Sequence, residues 1–253
     1  MAYEFPSIPD DFDPLTAQEA VLDRYHLPRR PDPVLQPGLL KAWLRLFERP
    51  YTRVSSQPVL VEDLLLARPQ TVVEASMLRT RIVTSQNWAG ALIVPHGGDQ
   101  FVVITGEWTV PKPSLPPSDR QGPKGQKNDY VCSTFIGFDG NRLYLNSSLP
   151  QVGTAQTLTV DAAGTEAASY AVWFQWWARD QQTLNLVTFP SISITDGTDV
   201  MAWVWAYDPL HVMVLFRTFG AVPQFLWPPF VALSPAADSA TPRPCAPTCS
   251  APA

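Results

Sequence analysis

The sequence predicts an all-β fold, an antiparallel two-sheet β-sandwich with a short helical N-terminal extension. From about residue 72 the chain is built of short aromatic and β-branched runs, such as residues 170–177, 200–207 and 212–216. No long helical pattern and no alternation of strands with helices occurs there, which argues against a parallel α/β fold. The 253 residues are 45% hydrophobic and 16% charged, enough for one sizeable core.

The N-terminal extension, residues 1–71, is rich in proline and carries two short helical patterns. Thr16 and Glu19 are spaced as a capping box for the first helix, which Pro28 should end. Residues 38–48 place apolar side chains on one face of a second helix. The extension is expected to pack on the core or to form an arm, and a propeptide is the functional alternative.

The remaining segments predict turns, a loop and a tail around a sandwich that spans residues 72–233. His-Gly-Gly-Asp at 96–99 lies between two apolar runs and predicts a hairpin. Asp208 and Pro209 predict the turn of a later hairpin. Residues 111–130 have few apolar side chains and predict a loop, and residues 234–253 are an Ala/Pro-rich segment expected to be disordered.

Composition argues against several classes of partner and cofactor. A net charge of −5 and a pI near 5.1 do not suit a nucleic acid backbone. No run approaches a membrane span, and the first residues show no secretory signal, so the compartment stays undetermined. The three cysteines, Cys132, Cys245 and Cys249, and the scattered histidines predict no disulfide framework, no metal site and no cofactor.

Five segments in a fixed order carry a family resemblance. They are residues 85–90 (SQNWAG), 103–111 (VITGEWTVP), 135–140 (FIGFDG), 150–154 (PQVGT) and 169–176 (SYAVWFQW). Over about 90 residues this order resembles the glutamic peptidases, or eqolisins (peptidase families A4 and G1). The resemblance implies a sandwich of the concanavalin A-like, jelly-roll type, and an acid endopeptidase that cleaves polypeptide substrates with a glutamine and a glutamate.

The resemblance also implies roles for individual residues. Its catalytic glutamine, which donates to the oxyanion on the scissile carbonyl, falls on Gln151. An amide suits this task because it stays neutral and keeps its N–H donors at every pH. Gln175 replaces the glutamate of the family's Tyr-Glu-Trp signature, which removes a charge beside the site. The residues expected to contact substrate are Trp88, Phe135, Asp139, Trp173 and Gln175.

The family's second catalytic residue has no counterpart in this sequence. That glutamate belongs to a late Ala-Glu-Trp-Ile-Val-Glu strand, whereas the one acidic residue beyond Pro209 is Asp238. Glu166, the only glutamate after Gln151, precedes the aromatic strand and is out of order. We therefore expect an inactive or weakened peptidase. Our hypothesis is that the family's final strand has been lost, which predicts an uncovered sheet edge beside residues 212–216.

Two alternatives to a peptidase remain open. Five tryptophans could form a carbohydrate-binding or peptide-binding platform if they faced outward together, although closely spaced strand aromatics more often alternate with the core. They are Trp173, Trp176, Trp177, Trp203 and Trp205. The other alternative is a catalytically dead homologue that serves as an inhibitor or scaffold.

Overall fold

A computed structural model describes residues 6–61, 89–91, 93–94, 100–138, 148–178 and 186–234. The predicted all-β sandwich is confirmed. Its helices are α1 (Glu19–Arg24), α2 (Pro37–Phe47) and a 3₁₀ turn at Ser118–Arg120. The strands are β1 (Thr52–Ser55), β2 (Val59–Leu60), β3 (Val103–Thr109), β4 (Asn128–Gly137), β5 (Ser148–Val160), β6 (Glu166–Ala178), β7 (Leu186–Thr188), β8 (Asp199–Ala206), β9 (His211–Thr218), β10 (Gln224–Trp227) and β11 (Phe230–Leu233).

The strands form two sheets. The six-stranded sheet has the order β1-β10-β9-β8-β3, with β11 also paired to β9, and the five-stranded sheet has the order β2-β7-β6-β5-β4. Every pairing is antiparallel except that of β1 with β10. Within the segment predicted as an N-terminal extension, β1 pairs in the six-stranded sheet and β2 pairs in the five-stranded sheet.

The main core fills the space between the two sheets. Alternate residues of each strand point into it, as the two-residue period of a β-strand requires. From the five-stranded sheet come Val152, Val172 and Phe174, and from the six-stranded sheet come Val204 and Phe216, all of them buried. Trp108 also links the sheets, because its indole Nε1 donates a hydrogen bond of 3.0 Å to Thr154 Oγ1.

The N-terminal segment forms a third layer on the other face of the six-stranded sheet. Trp43 and Phe47 of α2 pack there with Met213, Leu215 and Phe225. Strands β8 and β9 are therefore buried on both faces, which explains their near-continuous apolar sequence. The two predicted helices are present, but the capping box is wrong. Gln18 precedes α1 without a side-chain cap, and Thr16 donates to the carbonyl of Asp13 instead.

The expectation of an uncovered edge beside residues 212–216 is wrong. β10 and β11 both pair with β9, and β1 pairs with β10 beyond them. Pro228 and Pro229 separate β10 from β11 because proline has no N–H to donate to a ladder. The apolar strand β9 is therefore an interior strand of the sheet, paired with β8 on one side and with β10 and β11 on the other.

The predicted hairpin at Asp208 and Pro209 is present between β8 and β9. The Asp208 carboxylate accepts the backbone N–H groups of Leu210 and His211, at 2.7 and 2.8 Å, which closes the turn. The hairpin predicted around residues 96–99 and the tail from 235 onward lie outside the described residues. Among the helices that the structure describes, none is long and apolar enough to cross a membrane.

Arg217 of β9 fastens the N-terminal layer to the sheet. Its side chain is only 3% exposed, and its Nη1 donates to the carbonyl oxygens of Arg45 and Leu46, each at 2.9 Å. Those carbonyls belong to the last turn of α2, where backbone acceptors have no partner within the helix. The guanidinium also lies over the Phe219 ring at 4.6 Å. Burial lowers the pKa of Arg217, but a guanidinium remains charged at any pH that proteins tolerate.

Replacing Arg217 with methionine should therefore destabilise the fold. The buried carbonyl oxygen of Leu46 and the partly buried one of Arg45 lose their donor, so we expect the free energy of unfolding to fall by about 1–3 kcal/mol. Urea denaturation followed by tryptophan fluorescence measures this change. Arg120→Met, at the exposed 3₁₀ turn, is the matched control and should stay within about 0.5 kcal/mol of the wild type. Equal stability of the two variants would contradict the anchoring role.

Candidate functional site

The candidate site lies on the outer face of the five-stranded sheet, opposite the core. Strands β5 and β6 form a hairpin of 13 consecutive residue pairs, from Ser148↔Ala178 to Val160↔Glu166. Val152 of β5 and Phe174 of β6 point into the core between the sheets. Since side chains alternate along a strand, their neighbours Gln151 and Gln175 lie on the outer face.

Gln151 and Gln175 face each other directly across this hairpin. They form one register pair, and Gln151 Nε2 donates a hydrogen bond of 2.9 Å to Gln175 Oε1. Both side chains are nearly buried, with 8% of Gln151 and 5% of Gln175 exposed. The structure thus brings together Gln151 and Gln175, both of which the family resemblance assigned to the site. Gln175 is the hydrogen-bond acceptor of Gln151.

Aromatic side chains stand in the next row of the same face. Trp173 and Phe135 are both register partners of Gly153, one on each side, and their ring centroids are 5.9 Å apart. Trp173 is 1% exposed and packs against Ala155 and Leu186, whereas Phe135 is 40% exposed and forms the rim. The indole Nε1 of Trp173 is buried and has no hydrogen-bond partner among the residues that the structure describes.

Two glycines shape the floor around these side chains. A Cβ on Gly153 would lie 2.3 Å from the carbonyl oxygen of Thr134 and 2.6 Å from Phe135 Cβ. Gly137, the register partner of Gln151 on β4, would place a Cβ 2.9 Å from Gln151 Cβ. Gln151 therefore has Gln175 beside it on the β6 side and no side chain beside it on the β4 side. In the sequence, Gly137 belongs to the FIGFDG segment and Gly153 to PQVGT, but no local pattern marked either position as a spacer.

The two described glutamates of the family-like segments and of β6, Glu107 and Glu166, both lie far from Gln151. Glu107 is on the far face of the six-stranded sheet, where it forms an ion pair of 3.2 Å with Arg45 of α2. Glu166 is nine residues before Gln175 on β6, roughly 30 Å away along an extended strand. None of the residues paired with Gln151 or adjacent to it on the described strands β4, β5 and β6 is acidic.

Other predicted contacts have different outcomes. Trp88 and Asp139 lie outside the described residues. The five tryptophans do not form an outward platform, because Trp176 lies in the core between the sheets and Trp203 lies beneath the N-terminal layer. Trp173 is on the outer face but is almost completely buried.

No metal-ligand cluster adjoins the amide pair in the described part of the chain. The described ranges contain no group of three His, Cys, Asp or Glu side chains placed to hold a metal ion. A cavity of about 710 Å³ lies between α2 and β3, lined by Lys41, Arg45 and Glu107 among others. It is on the opposite side of the molecule from Gln151, because the six-stranded sheet and the core separate them.

Comparison with known proteins identifies the family of this chain. The model of the Peptidase A4 family matches residues 86–217, about half of the chain. The chain belongs to that family. Aspergillopepsin-2 of Aspergillus niger is 30% identical over 132 residues, which is 48% of this chain and 41% of that relative. The chain thus spans less than half the length of this curated relative. No solved structure matches the chain.

As a Peptidase A4 family member, the chain is of the glutamic peptidase type that the five segments predicted. The matched residues include the whole β5–β6 hairpin, the amide pair and both glycines of the floor. They end at Arg217, so α1, α2, β10 and β11 lie outside the match. The N-terminal layer and the strands that cover β9 are therefore features of this chain that the family match does not describe.

The tight floor gives a prediction about Gly153. Gly153→Ala should destabilise the protein by about 1–3 kcal/mol, because its methyl group meets fixed backbone at Thr134 and Phe135 rather than a flexible side chain. Urea denaturation tests this. The matched control is Gly38→Ala in the first turn of α2, where nothing lies within 4 Å. That change should stabilise the helix by about 0.5–1 kcal/mol. A neutral Gly153→Ala variant would show that the close approach is not needed.

Proposed function

We propose that this chain is an acid endopeptidase of the glutamic type, and that Gln151 is the hydrogen-bond donor to the oxyanion. Hydrolysis of a peptide bond places negative charge on the carbonyl oxygen, and a fixed N–H that points at this oxygen lowers the barrier. The observation that carries the proposal is the Gln151 side chain, held by a 2.9 Å hydrogen bond to Gln175 on the outer face of the matched region.

The surroundings of Gln151 suit this role. One N–H of its amide is engaged by Gln175, and the other is available to a ligand. Gly137 leaves the β4 side of the row without a side chain, so a substrate carbonyl has room to approach from there. Phe135 at the rim would contact the substrate chain. The family resemblance implies the same role for Asp139 and Trp88.

The low exposure of Gln151 is compatible with catalysis. An oxyanion donor has to present one N–H rather than a whole side chain, and exclusion of water strengthens the hydrogen bond that it makes. The near-complete burial of Trp173 beside it adds an apolar wall to the site. The substrate class proposed is unfolded polypeptide, bound in an extended conformation across the five-stranded sheet.

A second candidate is a peptide-binding homologue that does not cleave. It is favoured by the absence of acidic residues among the described neighbours of Gln151 on β4, β5 and β6. Without a general base the rate of hydrolysis would be lower by about 10²–10⁴. The two candidates share the binding face and differ only in turnover.

Cleavage of a reduced, alkylated protein tests the proposal. Incubation at pH about 3 and about 7 should give peptide products only at the acid pH, because the glutamic type of mechanism uses one carboxyl group first as a base and then as an acid. Gln151→Ala should reduce the rate by about 10²–10³, the effect of removing one oxyanion donor. Product peptides are quantified by mass spectrometry.

The matched control is Gln126→Ala, the same substitution in an exposed turn away from the site. It should retain the wild-type rate. If neither wild type nor Gln126→Ala cleaves at either pH, but the alkylated protein binds to the wild type and not to Gln151→Ala in equilibrium titration, the non-cleaving homologue is correct. Cleavage that persists in Gln151→Ala would exclude Gln151 from the mechanism.

A further inference from the structure

We infer that Gln175 is a positioning residue, which orients the Gln151 amide and keeps that orientation independent of pH. The inference deepens the proposed function, because it concerns the same site. It begins from one contact. The two side chains are cross-strand partners in the β5–β6 hairpin, the longest among the described strands, and Gln151 Nε2 lies 2.9 Å from Gln175 Oε1.

The hydrogen bond restrains the terminal side-chain torsion of Gln151. The terminal torsion of a glutamine is broad, so an unrestrained amide presents its oxygen and its nitrogen to a ligand in turn. Because Gln175 Oε1 accepts one N–H of Gln151, the amide is held with its nitrogen on the β6 side and its second N–H directed away from Gln175. That second N–H is the one available to a substrate oxygen.

The chemistry of the partner decides how the contact responds to pH. A carboxamide neither gains nor loses a proton in the range where proteins are folded, so this acceptor is the same at pH about 3 as at pH about 7. A glutamate in this position would accept as a carboxylate at neutral pH and would become a protonated acid below a pKa of about 4.3 or higher, since burial raises the pKa of a carboxyl group. At position 175 this chain therefore carries an acceptor that does not titrate.

The surroundings make the pair rigid. Leu186 of β7 is the register partner of Gln175 on its other side, and it belongs to the small apolar cluster that also contains Trp173. Val61 packs against the same cluster, and its backbone N–H donates to the carbonyl of Leu186 at 3.0 Å. Gln175 is thus held between a hydrogen-bonded amide and a packed side chain.

Side-chain amide NMR tests the inference without any need for activity. In a ¹H–¹⁵N spectrum, the Gln151 signal is identified by its loss in Gln151→Leu. One of its protons should exchange slowly with solvent, and Gln175→Leu should abolish that protection. The Gln156 amide, which donates to Thr154 Oγ1 at 2.8 Å in the core, is the internal control for an intact sheet. Protection of Gln151 that survives in Gln175→Leu, or protection found on the Gln175 amide instead, would overturn the inference.

A second variant covers the case in which Gln175→Leu fails to fold, as loss of the Gln156 signal would reveal. Gln175→Glu keeps an acceptor, so the Gln151 signal should stay protected at pH about 7 and change as the introduced carboxyl group takes up its proton. In the wild type the same signal should be unchanged between pH about 3 and about 7. A wild-type Gln151 signal that titrates in this range would overturn the inference.

Kinetics separate this inference from the proposed function. If the wild type cleaves, Gln175→Leu should lower kcat by about 3–10-fold with little change in KM, as expected from loss of one neutral hydrogen bond that orients a catalytic group. Gln175→Glu should add an inflection to the pH profile of kcat. An unchanged kcat in both variants would overturn the inference. If the wild type does not cleave, the proposed function fails, and the NMR result alone decides whether Gln175 positions Gln151.

Discussion

The pairing of β5 with β6 is the constraint on which the rest of the molecule depends. Its 13 residue pairs give both strands one face toward the core and one toward the outside over their whole length. A shift of β6 by one residue relative to β5 would move Phe174 out of the core and turn Gln175 toward the space between the sheets, away from Gln151. The turn at residues 161–165 holds this register, because the Asp161 carboxylate accepts the N–H groups of Ala163 and Thr165 and Gly164 adopts φ +88°. Core packing and site geometry are therefore fixed together.

The N-terminal layer places the site by closing the opposite side of the sandwich. It covers the outer face of the six-stranded sheet with α1 and α2, and Arg217 ties the end of α2 to β9. It also supplies β1 and β2, one to each sheet. The described N-terminal helices thus cover the outer face of the six-stranded sheet. The amide pair lies on the outer face of the five-stranded sheet, which these helices do not cover.

Local patterns predicted the elements better than their connections. Alternating and aromatic runs identified β6, β8 and β9, and Asp208 with Pro209 identified the turn between the last two. The capping box failed because Thr16 bonds back to Asp13, and the uncovered edge failed because β10 and β11 pair with β9. The first error is a competing hydrogen bond within the same turn, whereas the second concerns strands that lie outside the pattern that suggested the edge. The near-continuous apolar sequence of β9 is explained by burial on both faces, but no local pattern shows that helices cover one of them.

The sequence by itself determined the sandwich class, the Peptidase A4 family and the candidacy of Gln151, because these depend on residue types in a fixed order. Only the tertiary structure decided that Gln175 is the hydrogen-bond partner of Gln151, that Gly137 and Gly153 are spacers beside the amide and the aromatic rings, and that Glu107 lies on the far side of the molecule. The physical reason is that the direction of a side chain depends on strand register and on which face each sheet buries. These are set by contacts between segments far apart in the chain.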